Sequence, residues 1–152
     1  MMVKVLFVCH GNICRSPMAE FLLKDMVQKR HIAAAFSIAS AATSREEIGN
    51  PVHYGTRTKL AQLGISVAGK YARQMTRRDY EEYDYILLMD RNNVRNTLRI
   101  IGEDDQNKLH LLLDYTARKG QSIADPWYTG DFETTYDDIM EGLEGFLDYL
   151  EV

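Results

Sequence analysis

The sequence predicts an α/β protein, a single domain built on a four-stranded parallel sheet with helices on both faces. Three observations carry that expectation. Short apolar runs of strand length alternate with segments whose apolar residues recur at helical spacing, and this alternation is the pattern of a parallel sheet with crossover helices. The first run, residues 5–8, is apolar at every position, as expected of a buried strand in such a sheet. A chain of 152 residues is long enough for one domain with a substantial core.

Each element follows from its own residues. Val5-Leu6-Phe7-Val8 forms the first strand. Ser16-Pro17 is a helix-start signal, because proline fits the first turn of a helix. Met18, Phe21, Leu22 and Met26 then recur at helical spacing, which predicts a helix over 16–30. Residues 36–41 read as the second strand. Residues 43–54, with Gly49-Asn50-Pro51, read as loop. A helix over 56–63 stops at Gly64, and the polar-aromatic stretch 79–83 suits a short helical turn. Residues 85–89 give the third strand, and 91–101 a helix ended by Gly102. The fourth strand is placed at 109–113, despite His110 and the flanking charges. Phe132, Tyr136, Ile139, Leu143, Phe146, Leu147 and Leu150 form a helical stripe, so the last helix covers 132–150. No internal repeat or linker interrupts this order.

Composition narrows the function classes. With 45% hydrophobic and 26% charged residues, the chain has the make-up of a globular protein. It holds no run of 18 apolar residues and no charged-then-apolar leader, so a cytoplasmic protein with no membrane association is expected. A net charge of −4 argues against a nucleic-acid partner. The charge is uneven: residues 120–152 contain nine acids and no Lys or Arg, leaving eighteen bases against thirteen acids before them. A basic body suits an anionic substrate, and the acidic tail reads as the solvated face of the last helix. Cys9 and Cys14 lack the C-x-x-C spacing, and no further Cys or His completes a zinc set, so no metal site is expected.

The chemistry concentrates in Cys9-His10-Gly11-Asn12-Ile13-Cys14-Arg15-Ser16-Pro17, between the first strand and the first helix. Strand, loop and helix start together aim backbone N–H groups at an anion. A loop this short, wrapped around a phosphate, would turn the amides of His10 through Arg15 inward. Gly11 permits dihedrals closed to other residues, and Asn12 tolerates the left-handed region while bonding nearby backbone. Arg15 offers a planar fork matched to two phosphate oxygens. Cys9 lies just past the strand end, where parallel sheets place their sites. A free cysteine has a pKa of about 8.5, which a helix N-terminus and a cation lower by several units. The loop would therefore hold a thiolate nucleophile without a histidine base. Cleaving a phosphate monoester also needs an acid for the leaving oxygen. Asp125-Pro126-Trp127-Tyr128 is the candidate, since Pro126 biases Asp125 toward an extended backbone and the two rings can wall a pocket.

The string Val-Cys-His-Gly-Asn-Ile-Cys-Arg-Ser-Pro-Met-Ala-Glu at 8–20 closely resembles the phosphate loop of the low-molecular-weight protein tyrosine phosphatases. The Asp-Pro-aromatic-aromatic run at 125–128 resembles that family's acid loop. The resemblance extends through most of the chain. It implies a doubly wound sheet of order 2-1-3-4. It also implies a phosphocysteine on Cys9, with Arg15 stabilising the transition state and Asp125 acting as acid and then base. By the same resemblance Ser16 donates to the Cys9 sulfur, Asn12 holds the loop shape, and Ser40 joins the asparagine network. Ile13, Glu46, Trp127 and Tyr128 fall at pocket positions. The implied partner is a tyrosine-phosphorylated protein, with a bacterial tyrosine kinase among the candidates, and no cofactor. The protein itself is expected to be a monomer or to self-associate weakly. A low-pKa thiolate with a thiol nearby also suggests a reversible Cys9–Cys14 bridge under oxidation.

Departures from the family leave some properties open. Glu46 stands where animal members carry a wall tryptophan, and Lys70 or Tyr71 stands near the position of a bracing histidine. The segment before Asp131-Phe132-Glu133-Thr134 is shortened. Three other readings are carried. An arsenate reductase of the same fold needs resolving cysteines, and none follows Cys14. A protein-arginine phosphatase carries threonine at the position of Ile13. A non-catalytic phosphoprotein-binding module would lose the nucleophile or the acid, whereas both Cys9 and Asp125 are present.

Overall fold

The computed structural model describes residues 2–152. Four strands, β1 (Val3–Cys9), β2 (Phe36–Ala42), β3 (Tyr85–Leu88) and β4 (Leu109–Leu111), pair in parallel in the order β2-β1-β3-β4. The helices are α1 (Arg15–Lys29), α2 (Tyr54–Gln62), α3 (Arg77–Glu82), α4 (Arg91–Ile101), α5 (Pro126–Thr129) and α6 (Phe132–Tyr149). This is the doubly wound sheet that the resemblance implied.

The alternation of β1 explains its continuous apolar run. Val5, Phe7 and Cys9 enter a core with Met18, Leu22 and Leu23 of α1 and Ile139, Leu143, Phe146 and Leu147 of α6. Leu6 and Val8 enter the opposite core with Tyr80, Ile86, Leu88 and Ile101, beneath α3 and α4. A strand buried on both faces has no position for a polar residue. Each fully buried Leu, Val or Phe contributes about 1.5–3 kcal/mol of transfer free energy, so β1 alone anchors both layers.

Three expectations need correction. β1 runs to Cys9, so the cysteine is the last strand residue and not the first loop residue. The fourth strand stops at Leu111, because Leu112–Tyr115 turns into a 3-10 helix. There Leu112 and Leu113 are fully buried against α6. Helix α2 starts two residues early, at Tyr54, with His53 as its cap: the ring Nδ1 accepts from the Gly55 amide at 3.0 Å. Asp125 has the extended backbone expected ahead of Pro126, and it caps the one-turn helix α5, its Oδ1 accepting from the Trp127 amide.

Candidate active site

The loop from Cys9 to Arg15 lies beyond the carboxyl end of the central strand, and its carbonyls are turned outward onto scaffold. The Cys9 carbonyl accepts from Thr43 N (2.9 Å), that of His10 from Ser44 N (3.1 Å), and that of Ile13 from His53 N (2.8 Å). The Cys14 carbonyl accepts from Thr56 Oγ1 at 3.1 Å and from Met18 N at 3.2 Å. Among the described residues no acceptor meets the amides of Gly11, Ile13, Cys14 or Arg15. Four unclaimed N–H groups around one short loop, at the start of α1, form a cradle for an anion.

Asn12 fixes that shape. Its φ of 61° is left-handed, where asparagine is tolerated better than most residues. Its side chain is 1% exposed and fully committed. Nδ2 donates to Ser16 Oγ (2.7 Å) and Ser40 Oγ (2.9 Å), and Oδ1 accepts from Arg73 N (3.2 Å). The chain has a direction. Ser40 donates onward to Glu20 Oε1 at 2.5 Å. Ser16 Oγ, accepting from Asn12, also lies 3.0 Å from the Cys9 sulfur, and either atom can donate in that contact. The Asn12 amide donates to the same sulfur, at 3.3 Å. The Ser16 hydroxyl and the Asn12 amide thus both face Cys9 Sγ.

Glu20 is 4% exposed, and burial of a carboxylate is tolerated only with partners. Lys24 Nζ lies 2.6 Å from its Oε2 and Lys70 Nζ 3.3 Å from its Oε1. Lys70 also donates to the Ser40 carbonyl at 2.9 Å. Lys70, and not the exposed Tyr71, is thus the brace at this point in the network. Burial lowers the Lys70 pKa below the ordinary lysine value, with Glu20 opposing the shift.

Arg15 is 2% exposed at the pocket floor. Nη1 donates to Asp90 Oδ2 (2.8 Å) and to the Ile123 carbonyl (2.7 Å), and Nη2 reaches Asp125 Oδ2 at 3.5 Å. Asp90 caps α4 just after β3, where its Oδ1 accepts from Asn93 N. The Ile123 amide donates to the Met89 carbonyl at 2.8 Å, pinning the segment before Asp125 to the end of β3. The guanidinium is in this way aimed by two elements far from it in sequence. The motif pattern did not reveal Asp90, Glu20, Arg73 or Ile123. For Asp90 a signal was present: an acid at the carboxyl end of a parallel strand, followed three residues later by Asn93.

The cavity above these groups holds about 260 Å³ and is lined by Cys9, His10, Gly11, Ile13, Cys14, Arg15, Glu46, Glu47, Asp125, Trp127 and Tyr128. All the expected pocket residues meet there. Trp127 and Tyr128 stand on one side, 56% and 84% exposed, as a rim and not as buried walls. Glu46 and Glu47 stand on the loop after β2. Ser40 and Ser16 lie behind the loop, in the supporting network. Cys14 is buried, and burial first, then the nearby Cys9 and Asp125, push its thiol up to about 12. Both cysteines are free.

The family model for low molecular weight phosphotyrosine protein phosphatases matches residues 4–152. The low molecular weight protein-tyrosine-phosphatase YfkJ of Bacillus subtilis is 40% identical, over 96% of this chain and 94% of its own. Its crystal structure superposes with a TM-score of 0.94, at 38% identity, covering 99% of this chain and 96% of that one. The low molecular weight phosphotyrosine protein phosphatase of Gallus gallus is 41% identical over 95% of this chain and 93% of its own. A Drosophila arginine phosphatase structure is 32% identical, with a TM-score of 0.90 and 99% of each chain covered. With the family model spanning residues 4–152 and relatives near 40% identity matched over nearly their whole length, the chain belongs to the low molecular weight phosphotyrosine protein phosphatase family.

Proposed function

We propose that this protein hydrolyses phosphotyrosine in protein substrates through a phosphocysteine intermediate. The observation that carries the reading is the convergence on Cys9 Sγ of the Ser16 hydroxyl and the Asn12 amide, in a loop with four unclaimed N–H groups and the Arg15 fork. The Ser16 hydroxyl and the Asn12 amide can both donate to the sulfur when it is a thiolate. The Cys9 thiolate attacks phosphorus as the P–O bond to the tyrosyl oxygen breaks. Asp125 gives its proton to that oxygen. Asp125, now a carboxylate, takes a proton from water, which attacks phosphorus, breaks the S–P bond and releases phosphate with the Cys9 thiolate restored. Arg15 and the free amides of the loop match the equatorial oxygens throughout, where charge develops in the transition state. Asp90 is a positioning residue for Arg15, and no step calls on a cofactor.

The same reading makes residues 1–152 one catalytic domain acting in the cytoplasm as a monomer or weak self-associating species, on targets that include a bacterial tyrosine kinase. No helix among the described residues is long and apolar enough to cross a membrane. Cys14, a free thiol in the same loop, would resolve an oxidised Cys9, and its raised pKa would make that step slow at neutral pH. A second reading, a protein-arginine phosphatase, draws on the likeness to the Drosophila structure, and Ile13 at the cavity is the residue that weighs against it.

Substitution Cys9→Ser tests the chemistry. Hydrolysis of an aryl phosphate should vanish while phosphate still binds. Unchanged hydrolysis would remove Cys9 as nucleophile. Turnover of matched phosphotyrosine, phosphoserine and phosphoarginine peptides decides between the two substrates.

A further inference from the structure

The rim of the cavity carries the wrong sign of charge for its ligand. A phosphate ester is a dianion, yet three carboxylates line the opening: Glu46, Glu47 and Asp125. Among the described lining residues Arg15 is the one Lys or Arg, and it lies at the floor already facing Asp90 and Asp125. Arg45, adjacent in sequence, turns away and donates to Gln74. Asp125 has a role in the proposed reaction, but Glu46 and Glu47 have none.

The two glutamates differ in what holds them. Glu46 is paired with His10 across the loop mouth, both side chains well exposed at 67% and 49%. Glu47 accepts from Asn50 Nδ2 at 2.6 Å and has no cation within 4.0 Å among the described residues. Its side chain rests on the phosphate loop, since a Cβ on Gly11 would lie 3.3 Å from Glu47 Cγ. The acid is therefore seated over the anion cradle by packing and by the Asn50 bond. Two carboxylates held at the entrance of a phosphate site repel a bare phosphate ester. They attract one that arrives with its own cations.

We infer that Glu46 and Glu47 are specificity-determining residues, and that this enzyme selects phosphotyrosines flanked by lysine or arginine. The inference rests on the phosphotyrosine phosphatase reading above and adds the chemistry of the flanking sequence. Glu47 is the stronger determinant, because a substrate cation must compete with His10 for Glu46 and has no competitor at Glu47. Rim-exposed ion pairs contribute a factor of about two to five each. Attraction of a basic flank and repulsion of an acidic one together give a preference of about tenfold in kcat/KM. The contacts sit in solvent, so salt screens them within about 10 Å at 0.1 M ionic strength.

The test compares kcat/KM for two peptides with one phosphotyrosine each, one flanked by lysines and the other by glutamates, with free phosphotyrosine as reference. The wild-type enzyme should favour the lysine peptide about tenfold at low salt, and the ratio should shrink as sodium chloride is raised. Glu47→Gln should lower the ratio severalfold, Glu46→Gln less, and Glu46→Lys together with Glu47→Lys should invert it. Equal turnover of both peptides by the wild type, or a ratio that the Glu47→Gln and double lysine variants leave unchanged, overturns the inference while the phosphatase reading stands. No turnover of phosphotyrosine in any form overturns the reading itself, and the inference with it.

Discussion

Cys14 illustrates how two residues of one type in one loop acquire different chemistry. The Cys9 sulfur faces the Ser16 hydroxyl and accepts from the Asn12 amide, whereas burial pushes the Cys14 thiol up to about 12. A thiol whose folded value is raised contributes stability that is fully present below the unfolded value and is lost as pH climbs toward the folded one. For Cys14 that window runs from 9.0 to about 12. Between those limits the wild type should lose more stability than Cys14→Ala, measured by denaturant melts at stepped pH. At neutral pH iodoacetamide should label Cys9 and spare Cys14, as read by peptide mass spectrometry. The loop's own residues were legible from sequence because the phosphate chemistry constrains all of them within a few positions. Their partners were not. Asp90 has the local look of an ordinary helix cap, with Asn93 accepting and donating in return. Glu20 and Lys24 have the look of a surface i, i+4 pair, although Glu20 is buried. Asp90 and Glu20 acquire their roles from contacts 75 and 20 positions away, which no local pattern encodes.

The elements were legible where one face decides their fate. The stripe of α6 and the apolar run of β1 are set by burial alone, and both fell within a residue or two of expectation. The fourth strand was not, because Leu109–Leu111 and the following Leu112 and Leu113 share one apolar composition while the chain changes from strand to 3-10 turn. The reason lies in α6, whose glycines let that turn approach. A Cβ at Gly145 would overlap the Tyr115 carbonyl oxygen, and backbone there cannot step aside as a flexible side chain would. Gly145→Ala should therefore destabilise the protein by about 1–3 kcal/mol, in spite of alanine's better helix propensity. A thermal melt in which this variant equals or exceeds the wild type would contradict the packing.

At the scale of the whole molecule the site is a junction. Its residues come from the end of β1, the start of α1, the loop after β2, the cap of α4 and the start of α5. A bound oxyanion accepts from amides and a guanidinium that meet only in the folded chain, so it should stabilise the entire fold and not one loop. At a hundred times its dissociation constant, phosphate should add about 2.7 kcal/mol to the unfolding free energy. The gain should persist in Cys9→Ser and largely disappear in Arg15→Met. Differential scanning calorimetry at graded phosphate checks this, and an equal gain in Arg15→Met would argue that the anion binds elsewhere.

The long reach of Arg15 also has a temporal meaning. Arg15 leaves the ribosome before Asp90, Ile123 and Asp125, which follow 75, 108 and 110 positions later. The residues that cover the Leu6 and Val8 face of the central strand also lie far downstream, from Tyr80 to Ile101, whereas α1 follows at once to cover part of the other face. The Arg15 guanidinium is therefore made well before the groups that orient it, so the proposed site is complete only once residue 125 has been synthesised.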